Sequence, residues 1–172
     1  MITIVRLITF QSLWFANVYL GKTPYLYFAV PLSLFFLFLD KEIFYKKVPL
    51  IPFINFSLFV VFSGMIIDSI VLNLGLISFA RWSLPISSAF MWGMWIIFIP
   101  YYQIGFKKFN GKILLSVILA LVFAPISYYS GSKIGSIILI DKIFALSAIG
   151  ILWALFFPLS INLYEKLKGH EK

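Results

Sequence analysis

The sequence predicts an all-α, polytopic membrane bundle of about six transmembrane helices, on three observations. Hydrophobic residues make up 62% of the 172 positions and charged residues only 12%, which cannot clothe a water-facing globule. Mean hydropathy is +1.03. Apolar stretches recur along the whole chain, separated by Lys-, Gly- and Pro-bearing breaks. At about 20–25 residues per span plus short loops, residues 1–172 form a single integral-membrane domain with no room for a separate soluble unit.

The first two spans, Leu7–Leu20 and Tyr25–Leu39, are short. About 15 residues at roughly 1.5 Å each give about 22 Å against a hydrocarbon core of roughly 30 Å. They therefore form a tight or partly re-entrant hairpin at Gly21-Lys22-Thr23-Pro24, and whether both fully cross the bilayer stays open. No small-x-small cleavage site follows the first apolar run, so it reads as a retained helix. Pro52–Ile77 and Ile86–Phe106 are the third and fourth spans. The fifth, Ile113–Tyr129, is expected to be disrupted at Pro125 and loosened by the glycines that follow. Backbone carbonyls freed there need partners, which makes Phe123–Gly135 the best loop-like candidate for a binding surface. The sixth span, Ile143–Tyr164, is expected to kink at Pro158.

Several function classes drop out on composition. The chain has no Cys, and its one His, His170, lies on the polar tail. Disulfides, thiolate metal sites and Cys nucleophiles are excluded, and neither a metal nor a cofactor is expected. The net charge of +8 raises nucleic acid as a partner, but the placement of the cations argues against it. If six spans alternate, Arg6, Lys41, Lys46, Lys47, Lys107, Lys108, Lys112, Lys166, Lys168 and Lys172 fall on one side. Lys22, Arg81, Lys133 and Lys142 fall on the other. This is the positive-inside pattern, with both termini cytoplasmic in a bacterial inner membrane and the lysines facing anionic lipid.

Asp68 is the most informative residue, a carboxyl inside the apolar run from Phe56 to Ile77. A charge at that depth costs about 2.5–3.5 kcal/mol on insertion scales and is kept for a partner, a cavity or a proton. Residues 4, 7 or 11 apart lie on one helix face, so Gly64, Asp68 and Gly75 share a stripe, as do Trp14, Asn17 and Gly21. Small residues beside the acid let another helix approach and bury it. The candidate ligand-binding set is Asp68, Asn17, Trp14, Gly64, Ser127, Tyr128, Lys133 and Trp92, which gathers toward the outer half under this topology. Trp92 and Trp95 also suit interfacial anchoring. Arg81 is too far along the chain to pair with Asp68, about 20 Å on one axis. Lys133 is placed to reach inward instead, and Asp141 to meet Arg81.

Four sequence elements also carry a family resemblance. They are Phe10-Gln11-Ser12-Leu13-Trp14-Phe15, the pair Gly64 and Asp68, Ala124-Pro125-Ile126-Ser127-Tyr128-Tyr129-Ser130-Gly131, and Trp153 to Leu159. Together they resemble DUF2878, an uncharacterised bacterial family of small inner-membrane proteins. Ala124 stands where the family pattern has glycine, which would tighten a close helix contact. The resemblance implies a multi-span inner-membrane protein and assigns no reaction.

The leading expectation is a cavity in the outer half for a lipid-like or amphipathic molecule, with Asp68 as polar anchor and Tyr128, Ser127 and Asn17 as hydrogen-bonding groups. One alternative is a substrate-binding subunit of a multi-component transporter. Another is a membrane scaffold whose polar stripes bind a membrane-protein partner. An enzyme would need a second group working with Asp68, for which only Asp141 or a Tyr128/Lys133 pair is available.

Overall fold

The computed structural model describes residues 2–44, 48–81, 87–104, 109 and 111–169. The span boundaries Ile86 and Phe106, His170, and Lys46, Lys47, Lys107, Lys108 and Lys172 lie outside the described residues. Among the described residues six helices are formed: α1 (Ile2–Gly21), α2 (Ala29–Phe44, after a 3-10 turn at Leu26–Phe28), α3 (Leu50–Asn73), α4 (Ala89–Ile104), α5 (Ile113–Ile134) and α6 (Lys142–Gly169). Helices α3, α5 and α6 are long and apolar enough to cross a membrane, and α4 is a shorter apolar helix. Large side chains on their outer faces stay uncovered by protein, such as Ile51 at 72%, Leu114 at 74% and Ile143 at 76% exposure. Water would penalise such a belt, whereas hydrocarbon does not.

Several helix ends differ from the sequence expectation. Helix α1 starts at Ile2, before Leu7, so its 20 residues are not a short span, α2 is shifted to Ala29–Phe44 and α6 continues past Tyr164 to Gly169. The ends of α3 and α5 have local causes. The third helix stops at Asn73, four residues before Ile77, because Gly75 takes a left-handed conformation (φ 70°) and Leu76 N–H turns back to Val71 O at 3.2 Å. Ile77 instead starts strand β1 (Ile77–Phe79), which pairs antiparallel with β2 (Ile137–Leu139) in the register Ile77↔Leu139 and Phe79↔Ile137. The fifth helix runs unbroken through Pro125 to Ile134, where Gly135 (φ 92°) closes it with N–H bonds to Gly131 O and Ser132 O. The expectation of a disrupted, loop-like Phe123–Gly135 is therefore overturned. Proline deprives the Leu121 carbonyl of its helical donor, but that carbonyl faces the backbone of Gly150 on α6, where an added Cβ would lie 3.3 Å away. Close packing on α6 thus shelters the carbonyl. The small residue at this contact is Gly150, with Ala124 buried on the α5 side.

The connections after α1, α3 and α5 meet at one end of the bundle. Lys22 Nζ donates to Ile134 O at 3.2 Å, Arg81 Nε to Lys22 O at 3.0 Å, and the buried Ser136 hydroxyl to Val18 O. At the other end Arg6 makes a two-point ion pair with Asp40, Nε to Oδ1 at 2.9 Å and Nη2 to Oδ2 at 2.8 Å. Such parallel N–H···O contacts fix the start of α1 against the end of α2. Successive helices therefore alternate in direction.

The core has two layers. One is aromatic and includes Phe56, Trp95, Tyr102, Phe156 and Tyr164. The other, beneath the strands, includes Val71, Ile77, Phe79, Phe90, Tyr128 and Ile137.

Candidate functional site

Asp68 lies on α3 at the junction of these layers and is fully buried, with 0% exposure. Three neutral groups donate to its carboxyl. Trp95 Nε1 of α4 reaches Oδ2 at 2.8 Å, the Ser87 hydroxyl just before α4 reaches the same oxygen at 3.3 Å, and the Tyr128 hydroxyl of α5 reaches Oδ1. The ion pair found among the described residues is that of Arg6 with Asp40, so no cation balances Asp68 there. Its lone pairs are instead met by protein dipoles, which is how a polar group is kept in an apolar medium.

Helix α6 completes the arrangement. Trp153 stacks on Trp95 with ring centroids 4.8 Å apart and planes at 20°. Gly64, one turn before Asp68, makes the approach possible: a Cβ there would lie 1.9 Å from the Trp95 ring. Three helices, α3, α4 and α5, are thus tied at one carboxyl, and α6 packs on them through the Trp153–Trp95 stack.

The other polar stripe forms a separate contact. Asn17 is fully buried and donates from Nδ2 to Leu13 O at 2.9 Å and to Ser33 Oγ of α2 at 3.2 Å. Gly93 of α4 packs over it, since a Cβ there would sit 2.4 Å from Asn17 Oδ1. Trp14 is half-buried, edge-on to Phe15 at 5.1 Å.

Of the candidate residues, Asp68, Gly64 and Tyr128 come together. Asn17 and Trp14 belong to the α1 contact, and Ser127 is exposed on the outer face of α5. Lys133 sits over the Tyr129 ring at 5.2 Å, and Arg81 bonds Lys22 O while Asp141 caps α6 through the Phe144 N–H at 3.1 Å. The expected inward reach of Lys133 and the Arg81–Asp141 pair are therefore not formed. Gly75 lies in the turn beyond α3, off the Asp68 stripe.

Trp92 lines a different feature. An open groove of about 540 Å³ runs between α3 and α4, walled by Phe62, Met65, Ile66 and Ile70 with Trp92, and carrying Ser69 and Asn73 as its polar side chains. Phe62, Ile66, Ser69 and Asn73 follow one helical stripe, roughly opposite Asp68 on α3. The volume lies within the usual range for small-molecule sites.

Sequence reasoning missed Ser87 and Trp153 as neighbours of the Asp68 cluster and read Trp95 as an interfacial anchor. The available signal was chemical: a deep carboxyl without a cation at its depth needs neutral donors, and the indole N–H of Trp95 is one.

No curated protein and no solved structure matches the chain. One family model does, described as a protein of unknown function (DUF2878), over residues 3–159. That span includes the four motif elements, the Asp68 cluster and the groove, and the chain belongs to the DUF2878 family.

Proposed function

We propose that this protein is a multi-pass protein of the bacterial inner membrane, both termini cytoplasmic, that binds a lipid-like amphipathic molecule in the outer half of the bundle. The observation that carries this reading is the division of α3 into two faces. Asp68 is closed off and its carboxyl is met by Trp95, Ser87 and Tyr128. The opposite face opens laterally as an apolar groove that carries the polar side chains Ser69 and Asn73 among the described residues. An acyl chain matches the walls, and a polar headgroup matches the Asn73 end, which lies where α3 meets the strand-bearing end of the bundle. The Asp68 cluster then acts as the rigid backing that holds α3 and α4 at the spacing the groove needs.

The excess of basic residues on the Arg6 side supports the orientation. The cell supplies an abundant occupant, its own phospholipid, so the protein is read as holding or presenting lipid.

The test is site-specific photocrosslinking in native membranes. A benzophenone side chain at Ile66 or Ile70, in the groove, is compared with one at Ile54 or Leu58, which are also exposed on α3 but outside it. The expected result is lipid adducts that survive purification at 66 and 70 only. Equal adducts at all four positions overturn the reading, and protein adducts at 66 and 70 replace it with a scaffold role.

A further inference from the structure

The strand-bearing end of the bundle holds a second feature that the groove does not use. Lys133, in the last turn of α5, and Lys142, at the start of α6, direct their ammonium groups to one phenol. Lys133 Nζ lies 5.2 Å and Lys142 Nζ 4.5 Å from the centre of the Tyr129 ring. Two like charges drawn to one point repel unless an anion joins them. The nearest acid in sequence is committed elsewhere, since Asp141 Oδ1 accepts the Phe144 N–H and caps α6. No ion pair involves either lysine among the described residues. The other charged groups at this end, Lys22 and Arg81, are also cations and are held by backbone carbonyls.

Position narrows the class of anion. The three groups sit where two apolar, membrane-length helices end, the depth at which headgroup phosphates lie. Beside them Ile143 and Phe144 are 76% and 67% exposed, an apolar surface continuous with the cationic one. Two ammonium groups and a phenolic O–H match the oxygens of a phosphate. We infer that Lys133, Lys142 and Tyr129 form a binding site for the phosphate of an anionic phospholipid headgroup, on a different surface from the α3/α4 groove. Free phosphate shares this chemistry, and the experiment separates the two sources.

The full chain in mild detergent is titrated with phosphatidylglycerol, and bound lipid is counted by native mass spectrometry. The K133Q/K142Q variant is compared with wild type and with K112Q/K166Q, which removes two cations from the far end. At roughly fivefold per lysine near an anionic surface, K133Q/K142Q is expected to weaken the tightest site about thirtyfold. K112Q/K166Q leaves that site in place, K133R/K142R retains it, and the lipid-free melting temperature stays the same in all. Unchanged phosphatidylglycerol binding in K133Q/K142Q overturns the site. Inorganic phosphate that binds alone and displaces the lipid overturns the headgroup assignment in favour of a free anion.

Discussion

The two faces of α3 are built from the same few turns and do opposite things. On one face Gly64 and Asp68 are covered by Trp95, Ser87 and Tyr128, and every contact is close or hydrogen-bonded. On the other, Phe62, Ile66 and Ser69 look out through an open groove. The polar residue that stands out in the sequence is thus the closed one, and the accessible surface is made of residues with no chemical signature. In a membrane a buried carboxyl serves equally as a structural tie and as a ligand anchor, and the distinction lies in whether protein donors already use its lone pairs. For Asp68 they do.

The contrast predicts large effects on the closed face and small ones on the open face. Gly64→Ala is the most disruptive change, because its Cβ would overlap the Trp95 ring and the indole is pinned by Asp68 and Trp153. It is expected to cost about 3 kcal/mol or more, read as loss of the monodisperse species in detergent after mild heating. Asp68→Leu leaves the donors of Trp95, Ser87 and Tyr128 without an acceptor and is expected to cost about 3 kcal/mol.

Asp68→Asn sharpens the comparison. Its carbonyl still accepts from Trp95 and Ser87, while its amide donates to the Tyr128 oxygen, so the loss is expected near 1 kcal/mol. Tyr128→Phe removes a single donor and is expected to cost about 1–2 kcal/mol in reversible denaturation. On the open face Ser69→Leu is expected to change stability by less than about 0.5 kcal/mol while reducing co-purified lipid. A Ser69→Leu protein that unfolds as readily as Gly64→Ala would erase the distinction between the faces.

The helices were legible because apolar runs of bilayer length leave little choice of structure, and the short α2 followed from its short run. Their ends were less so. Pro125 carries a local rule for breaking helices, and the contact that overrides it, Gly150 against Leu121 O, is long-range. The three-residue strands are too short to show any alternation. Asp68 was legible as a charge in the wrong solvent, and Tyr128 lay in a recognisable motif. Trp95 and Ser87 were not assigned to it because no sequence period links α3 to α4 side chains at the same depth. The groove was illegible for a simpler reason: Ile66 and Ile70 read like any lipid-facing residues, and only the spacing of two helices makes them a wall.

The most direct test compares lipid retention by wild type, Asp68→Asn and Ser69→Trp, each purified in mild detergent and analysed by native mass spectrometry with a parallel melting curve. Ser69→Trp is expected to keep its melting temperature and lose the groove lipid, while folded Asp68→Asn keeps the lipid. Retention by Ser69→Trp together with loss from folded Asp68→Asn would contradict that expectation, and would return the carboxyl to the role of ligand anchor.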